Sequence, residues 1–297
     1  MFFRGIINTA IYDFIEWRKN IRIVYSFLIA FVFCFLVTDG FLTYASDSGA
    51  VQFLEAFIFS FGDGNYLLLI TLLFLLLFAD MPFLSSATPF LLVREGRRRW
   101  LAGQFLYIFI SSCIFMIFML ISTVCLSAGN AFVGNKWSVV TAELSYANKK
   151  TEMNLPVSTK VLEMSRPYNV AICIFILIFL YVFMLMSIKM FFTIRKGALA
   201  GTAAVITVST YGLIMNPANI ALFFNLGDES LYKARVFVGW ASPLNHAIYG
   251  MHNFGYDKLP RIWHSILIFV AITTVFICLS YRSLRKYNFS FEGTEKR

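Results

Sequence analysis

The sequence predicts an all-α polytopic membrane protein, with six transmembrane helices preceded by an N-terminal interfacial helix. Three observations carry that prediction. Hydrophobic residues make up 59% of the chain and charged residues only 14%, where a soluble domain carries about 25% charged residues. Apolar runs long enough to cross a bilayer recur along the whole length. The basic residues behind the net charge of +9 cluster at the ends of those runs, where membrane topology and anionic lipid place them. Membrane lipid, not nucleic acid, is the partner that this charge implies. The five cysteines, Cys34, Cys113, Cys125, Cys173 and Cys278, all fall inside apolar runs, so they read as small buried apolar side chains and not as disulfides or metal ligands.

Residues 1–20 contain Asp13, Glu16, Arg18 and Lys19, which leaves no place for the apolar core of a cleavable signal. Phe3, Ile6, Ile7, Ala10, Phe14 and Trp17 recur at helical spacing, with Asn8, Asp13, Glu16 and Lys19 opposite. That pattern predicts a helix lying along the membrane over 1–22, with a frayed polar leader as the alternative. The first span covers about 23–44. The loop at 45–64 contains Asp47, Glu55 and Asp63 and no Lys or Arg, which places it outside. The second span, about 65–86, contains Asp80. At about 1.5 Å per residue this acid comes about 20 Å from the outer entry, near the inner boundary, where it either pairs with a nearby Arg or binds a proton.

Between the second and third spans lies a cationic stretch, 89–104, in which Arg94, Arg97, Arg98 and Arg99 surround Glu95 and Gly96, and Trp100 closes the group. Each Arg at the centre of a bilayer costs roughly 2.5 to 3.5 kcal/mol even on translocon scales, so this cassette lies in water. Two readings remain open: a topogenic loop that only orients its spans, or a docking element for a soluble partner.

The third span, 101–128, carries no charge. The loop at 129–167 is polar, too long for a tight connection and predicted to be partly folded. It contains GNAFVGNKW, in which Asn135 stands where a nucleotide-binding loop needs Lys, and Lys136 is followed by Trp in place of Ser or Thr. ATP is not bound by that motif. The fourth span, 168–188, is closed on the inner side by Lys189, Arg195 and Lys196. The fifth, 198–215, is rich in small residues that permit close helix approach. Asn216, Pro217 and Asn219 then interrupt the apolar run and predict a helix end or kink. Residues 216–264 form the last outer region, whose apolar middle is too short to cross and suits a segment that dips into the outer leaflet and returns. The sixth span, 265–281, ends in Arg282, Arg285 and Lys286. Both termini are therefore cytoplasmic.

His246, His252 and His264 are not spaced as zinc pairs on adjoining helical turns. Neither HExxH nor GxSxG occurs, and no catalytic residue or metal site is assigned. A transporter or its subunit is the leading class, with a receptor-like or immunity membrane protein as its competitor.

The order of parts resembles the permease subunit of type-2 ABC exporters. The stretch REGRRRWLAGQFLY looks like that family's cytoplasmic coupling helix running into the third span. ASPLNHAIYGM looks like the Ser-Pro-Leu region before its last span. The long 129–167 loop departs from the commonest pattern of the family. The resemblance implies a permease in the plasma membrane that works as a dimer with a second permease copy or paralogue. It also implies a separate ABC ATP-binding subunit that supplies ATP and Mg, this chain binding no cofactor. In that reading Arg94, Glu95, Arg97, Arg98 and Arg99 face the ATPase, Trp100 anchors the cassette at the membrane boundary, and Asn216, Pro217 and Asn219 form an outer gate. The cargo expected is an amphipathic peptide or hydrophobic drug, with lipid or polysaccharide as the alternative.

Overall fold

Helix formation along this chain follows the uninterrupted apolar runs, and the breaks fall at Gly, Pro and Asn. The structure, a computed structural model, describes residues 2–84, 88–146, 159–225, 227 and 231–285. Helix α1 is Phe2–Ile15, α2 Ile21–Ser48, α3 Glu55–Phe61, α4 Gly64–Leu77, α5 Thr88–Ser127 and α6 Val139–Tyr146. They are followed by α7 Thr159–Met164, α8 Pro167–Lys196, α9 Ala198–Ile214, α10 Pro217–Phe223, α11 Leu231–Ala241 and α12 Ile262–Leu284. The described strands are β1 (Val51–Gln52) and β2 (Ala131–Phe132), which pair in parallel, Val51 with Ala131 and Gln52 with Phe132.

Four helices, α2, α5, α8 and α12, are long and apolar enough to cross a membrane. Two bent pairs, α3 with α4 and α9 with α10, bring the number to six if each pair is one span. The chain is thus an all-α polytopic membrane protein. Helix α8 is its axis: 67% of its most apolar window is buried, against 33% in α2 and 17% in α12. Pro167 opens α8 at a position where its missing N–H is no loss, and Gly197, at φ 98°, turns it directly into α9. A Cβ at Gly201 would meet the Thr193 side chain and stand 2.8 Å from the Lys189 carbonyl, so the α8–α9 hairpin depends on that glycine.

Two ends can be told apart by contact. At the basic end, α1 packs on α5, the 78–84 turn meets α2 and α8, and the end of α12 meets the cassette. At the loop end, β1, α3, α6, α7 and the 242–261 segment gather over the bundle.

Several expected boundaries are corrected. The 65–86 segment is regular only to Leu77; α4 is 14 residues, and the chain then turns irregularly through 78–84. The 45–64 segment is no open loop, because α2 continues to Ser48 and α3 follows, meeting α4 at 87° with all seven of its residues buried. Span four does not stop at 188, and α8 runs to Lys196 with Lys189 fully buried inside the bundle. The polar face assigned to α1 is also revised. Asp13 is buried with Thr9 and Ala10, while Phe3, Ile7, Ile11 and Ile15 form the exposed stripe. The inward stripe is small because α1 crosses α5 closely: a Cβ on Gly103 would lie 2.5 Å from Thr9 Cβ and 2.9 Å from the Ile6 carbonyl.

Candidate functional site

The cassette is two pieces, not one helix. Gly96 adopts φ 78°, ψ 156°, a conformation that Gly reaches without a steric penalty. It separates the short segment 88–95 from the long helix that begins at Arg97. This break decides which cassette side chains face outward. Phe90, Val93 and Arg94 lie three and four residues apart on one helical face and are 77%, 90% and, for the Arg94 side chain, 80% exposed. Arg98 is exposed as well.

The other cassette residues hold the segment in place. Glu95 is tucked against α1, where a Cβ on Gly5 would collide with its carboxylate. It pairs with Arg99 at 3.5 Å and with Arg94 at 3.8 Å. Arg97 donates to the carbonyls of Leu284 at 3.3 Å and Arg285 at 3.4 Å, satisfying the C-terminal carbonyls of α12 and placing a cation at the negative end of its dipole. Trp100 is 1% exposed and lies in the core, turned away from the surface.

Behind the cassette a polar network joins α1, α2, α4, α5 and α8. Asn20 caps α2 by accepting from Arg22 N at 3.2 Å and donates to Asp80 at 3.4 Å. Arg22 forms an ion pair with Asp80 and holds that carboxyl below the usual carboxylate range. Of the two roles open to Asp80, the geometry gives it the Arg pair. The Lys189 ammonium donates to the Phe78 carbonyl at 2.5 Å and to that of Ala79 at 3.4 Å, so a buried charge serves the carbonyls just past α4. Gln104 bridges two elements, donating to Asp13 Oδ2 at 2.7 Å and accepting from Phe83 N at 3.0 Å. Burial pushes the Asp13 carboxyl up to about 8, with the Gln104 bond opposing and Glu16 adding to the rise.

At the loop end, α9 stops at Ile214 and α10 starts at Pro217, with a 75° bend. Asn216 caps α10 by accepting from Ala218 N at 3.2 Å, and Asn219 donates to the Ile214 carbonyl at 3.0 Å. The Ala218 amide and the Ile214 carbonyl at the break therefore have partners, as does the Met215 carbonyl, which accepts from Asn245 Nδ2 at 3.4 Å. Asn216 and Pro217 line a cavity of about 410 Å³ together with Asp63, Asn65, Arg235 and Asn245. Asn219 turns back toward the helix end.

Sequence reasoning missed Glu55, which is fully buried. It accepts from Gln52 N at 3.0 Å, Ser138 N at 2.7 Å and Ser138 Oγ at 2.7 Å, tying α3 to the start of α6. An acid just ahead of an apolar helix was the only local signal, and its partner Ser138 is remote in sequence. Phe90 and Val93 were also missed, because the reading of the 89–104 stretch rested on its charged residues and Trp100. Asn135, in the failed nucleotide motif, accepts from Tyr168 N at 3.1 Å and so serves the first turn of α8. Among the described residues, no group of three His, Cys, Asp or Glu side chains is placed to hold a metal ion. No protein-family model, curated protein or solved structure matches this chain.

Proposed function

We propose that this chain is the transmembrane subunit of an ATP-driven exporter of the type-2 ABC class, its 88–95 segment docking a separate ATP-binding subunit. The observation that carries the reading is the break at Gly96, which turns an apolar and cationic face outward while anchoring its base in the bundle. A partner groove that is apolar at its floor and acidic at its rim fits Phe90, Val93 and Arg94. Force applied to the segment reaches α1 through Glu95 and α12 through Arg97. ATP and Mg belong to the partner, and the working unit is a dimer of this chain with a second copy or a paralogue. The basic end faces the cytoplasm of a plasma membrane, by the excess of Lys and Arg there. The cargo is an amphipathic peptide or hydrophobic drug, taken outward toward the cavity beside Asn216 and Pro217.

The test reverses charge where it is exposed. Arg94→Glu with Arg98→Glu is preferred to any change at Arg97, because Arg97 also holds α12. Like charges set against each other across an interface cost several kcal/mol, so the doubly reversed chain should insert normally and lose its co-purifying ATPase. Phe90→Ala with Val93→Ala should weaken the same complex without altering charge. Topology is checked in a background without native Cys: Ser48→Cys labels from outside with an impermeant thiol reagent, and Arg98→Cys does not. If the wild-type chain purifies alone, and cells lacking every candidate ATPase keep its phenotype, a stand-alone immunity or receptor role replaces the exporter.

A further inference from the structure

At the loop end, two buried histidines converge on one buried hydroxyl. His246 lies in the 3-10 turn Asn245–Ala247, His252 directly follows the turn Tyr249–Met251, and Ser265 sits in the first turn of α12. All three are at most 2% exposed. His246 Nδ1 and His252 Nε2 each lie 2.8 Å from Ser265 Oγ. The far nitrogens both face carbonyls, His252 Nδ1 those of Ile248 at 3.0 Å and Tyr249 at 3.2 Å, and His246 Nε2 that of Trp240 at 3.2 Å.

Counting hydrogens exposes a deficit. A ring nitrogen that faces a carbonyl must carry a hydrogen, because the carbonyl can only accept. Each of the two nitrogen-to-hydroxyl contacts needs one hydrogen as well. The four facings therefore require four hydrogens, whereas two neutral imidazoles and one hydroxyl supply three. Whichever tautomers are chosen, one pair of lone pairs is left face to face in a site shut off from water, where an unmade hydrogen bond is costly.

We propose that His246, Ser265 and His252 form a binding site for a single proton, which completes this hydrogen-bond network and is shared across the Ser265 hydroxyl. With the proton on His246 Nδ1, that ring donates to Ser265, and Ser265 donates to His252. With the proton on His252 Nε2, the chain runs the other way. A second proton would make both rings donate to the Ser265 oxygen, which leaves the hydroxyl hydrogen without an acceptor along this chain and sets two cations against one hydroxyl. Burial keeps both rings below the ordinary imidazole range, His252 down to about 4, so the site fills on acidification and not at neutrality.

The groups around the site fix its response. From α7, Lys160 donates to the His252 carbonyl at 2.9 Å and opposes the proton, while its ion pair with Asp257 moderates that opposition. From the turn between the histidines, Tyr249 is engaged with Ser165 Oγ at 2.8 Å. From α12, His264 turns away to Arg261 N, and Phe269 presents only its ring to His246. Proton uptake thus places a cation beneath Lys160, and acid on this face acts on the strap that joins α7 to Asp257.

The test is a 15N-histidine titration of the full chain in lipid nanodiscs, with His264→Gln removing the third histidine and a purification tag free of histidine. Protonated and unprotonated ring nitrogens resonate far apart. The expected result at pH 8 is His252 protonated at Nδ1 and His246 at Nε2. On acidification one further nitrogen per chain becomes protonated, both rings shift together, and no second proton enters before the fold is lost. The opposite tautomer on either ring at pH 8, two independent protonations in the folded chain, or none, overturns the proposal. Ser265→Thr retains the hydroxyl and should preserve the coupled shift, whereas Ser265→Ala should abolish it. A Ser265→Ala chain that folds and titrates as wild type also overturns the proposal. If that variant does not fold, the wild-type tautomers and proton count decide.

Discussion

The α3–α4 bend and the α9–α10 bend are similar in angle, 87° and 75°, and opposite in construction. Every residue of α3 is buried, and its acid Glu55 is held by three donors, one from Gln52 just ahead of it and two from the distant Ser138. In α10 only Ala221 is buried, while Leu222 and Phe223 are 80% and 82% exposed. The second bend is written chiefly by Asn216, Pro217 and Asn219, whose side chains and missing N–H shape the break, with one remote bond, Asn245 Nδ2 to the Met215 carbonyl at 3.4 Å. The first is made by what the bent piece packs against. A bend can therefore be chiefly a property of a few neighbouring residues or a property of the whole domain, and the two kinds should fail differently.

The sharpest way to break the contrast is Glu55→Leu. It leaves the amides of Gln52 and Ser138 without their acceptor, while the Ser138 hydroxyl can still donate to Thr141 Oγ1 at 3.1 Å. Each orphaned buried group costs about 1 to 3 kcal/mol, so a loss of about 4 kcal/mol is expected, read as a large fall in melting temperature in detergent. Glu55→Gln keeps one carbonyl oxygen and should lose less. Equal melting of Glu55→Leu and wild type would sink the idea that α3 is held from outside itself.

A second test carries the comparison to α1, also positioned by distant packing. Gly103→Ala inserts a Cβ against Thr9 and the Ile6 carbonyl, and overpacking of this kind costs about 1 to 3 kcal/mol. Proteolysis within 1–20 should accelerate while the rest of the chain stays protected. Unchanged protection would show that α1 does not depend on this crossing.

The local bend should be more forgiving. Asn216→Ala removes one cap, worth about 1 kcal/mol, and the 75° bend should persist because Pro217 still interrupts the helix. Disulfide trapping or paired spin labels across α9 and α10 would read the angle. A helix straightened by this one change would transfer the bend's cause from Pro217 to the cap.

The last test reads a slope, not a loss at a given condition. The folded-state pKa of Asp13, about 8, lies above its ordinary 3.8, so the native state holds that proton more tightly than the unfolded chain does. The stability this contributes is complete below 3.8 and is lost as pH rises through about 8. Asp13→Asn cannot ionise and should flatten the fall in melting temperature between pH 5 and 8.5. Parallel slopes for the two proteins would place the titrating group elsewhere.

Legibility in the sequence followed the range of the interactions involved. The apolar runs and the interruption at Pro217 were readable because each is a property of neighbouring residues: hydrocarbon transfer and a missing N–H. Glu55 was read only as one of three acids in a loop without basic residues. Lys189 was read as the closing charge of a span. Both lie buried, because their partners, Ser138 for one and Phe78 for the other, arrive from far along the chain.

By itself, then, the sequence determined that this chain is helical, membrane-type and broken near Pro217, since these follow from side-chain transfer energies and backbone chemistry summed over short windows. Only the tertiary structure decided which polar groups are inside and which cassette residues face out. Gly96 permits the cassette to divide, but α1 and the end of α12 determine that Glu95 turns inward and that Arg97 is held against the α12 terminus, leaving Phe90, Val93 and Arg94 exposed. Likewise, His246 and His252 stand six positions apart in sequence and meet at Ser265 because the segment before α12 folds back over its first turn. A buried polar group is stable only where its partner is delivered, and delivery is a matter of packing.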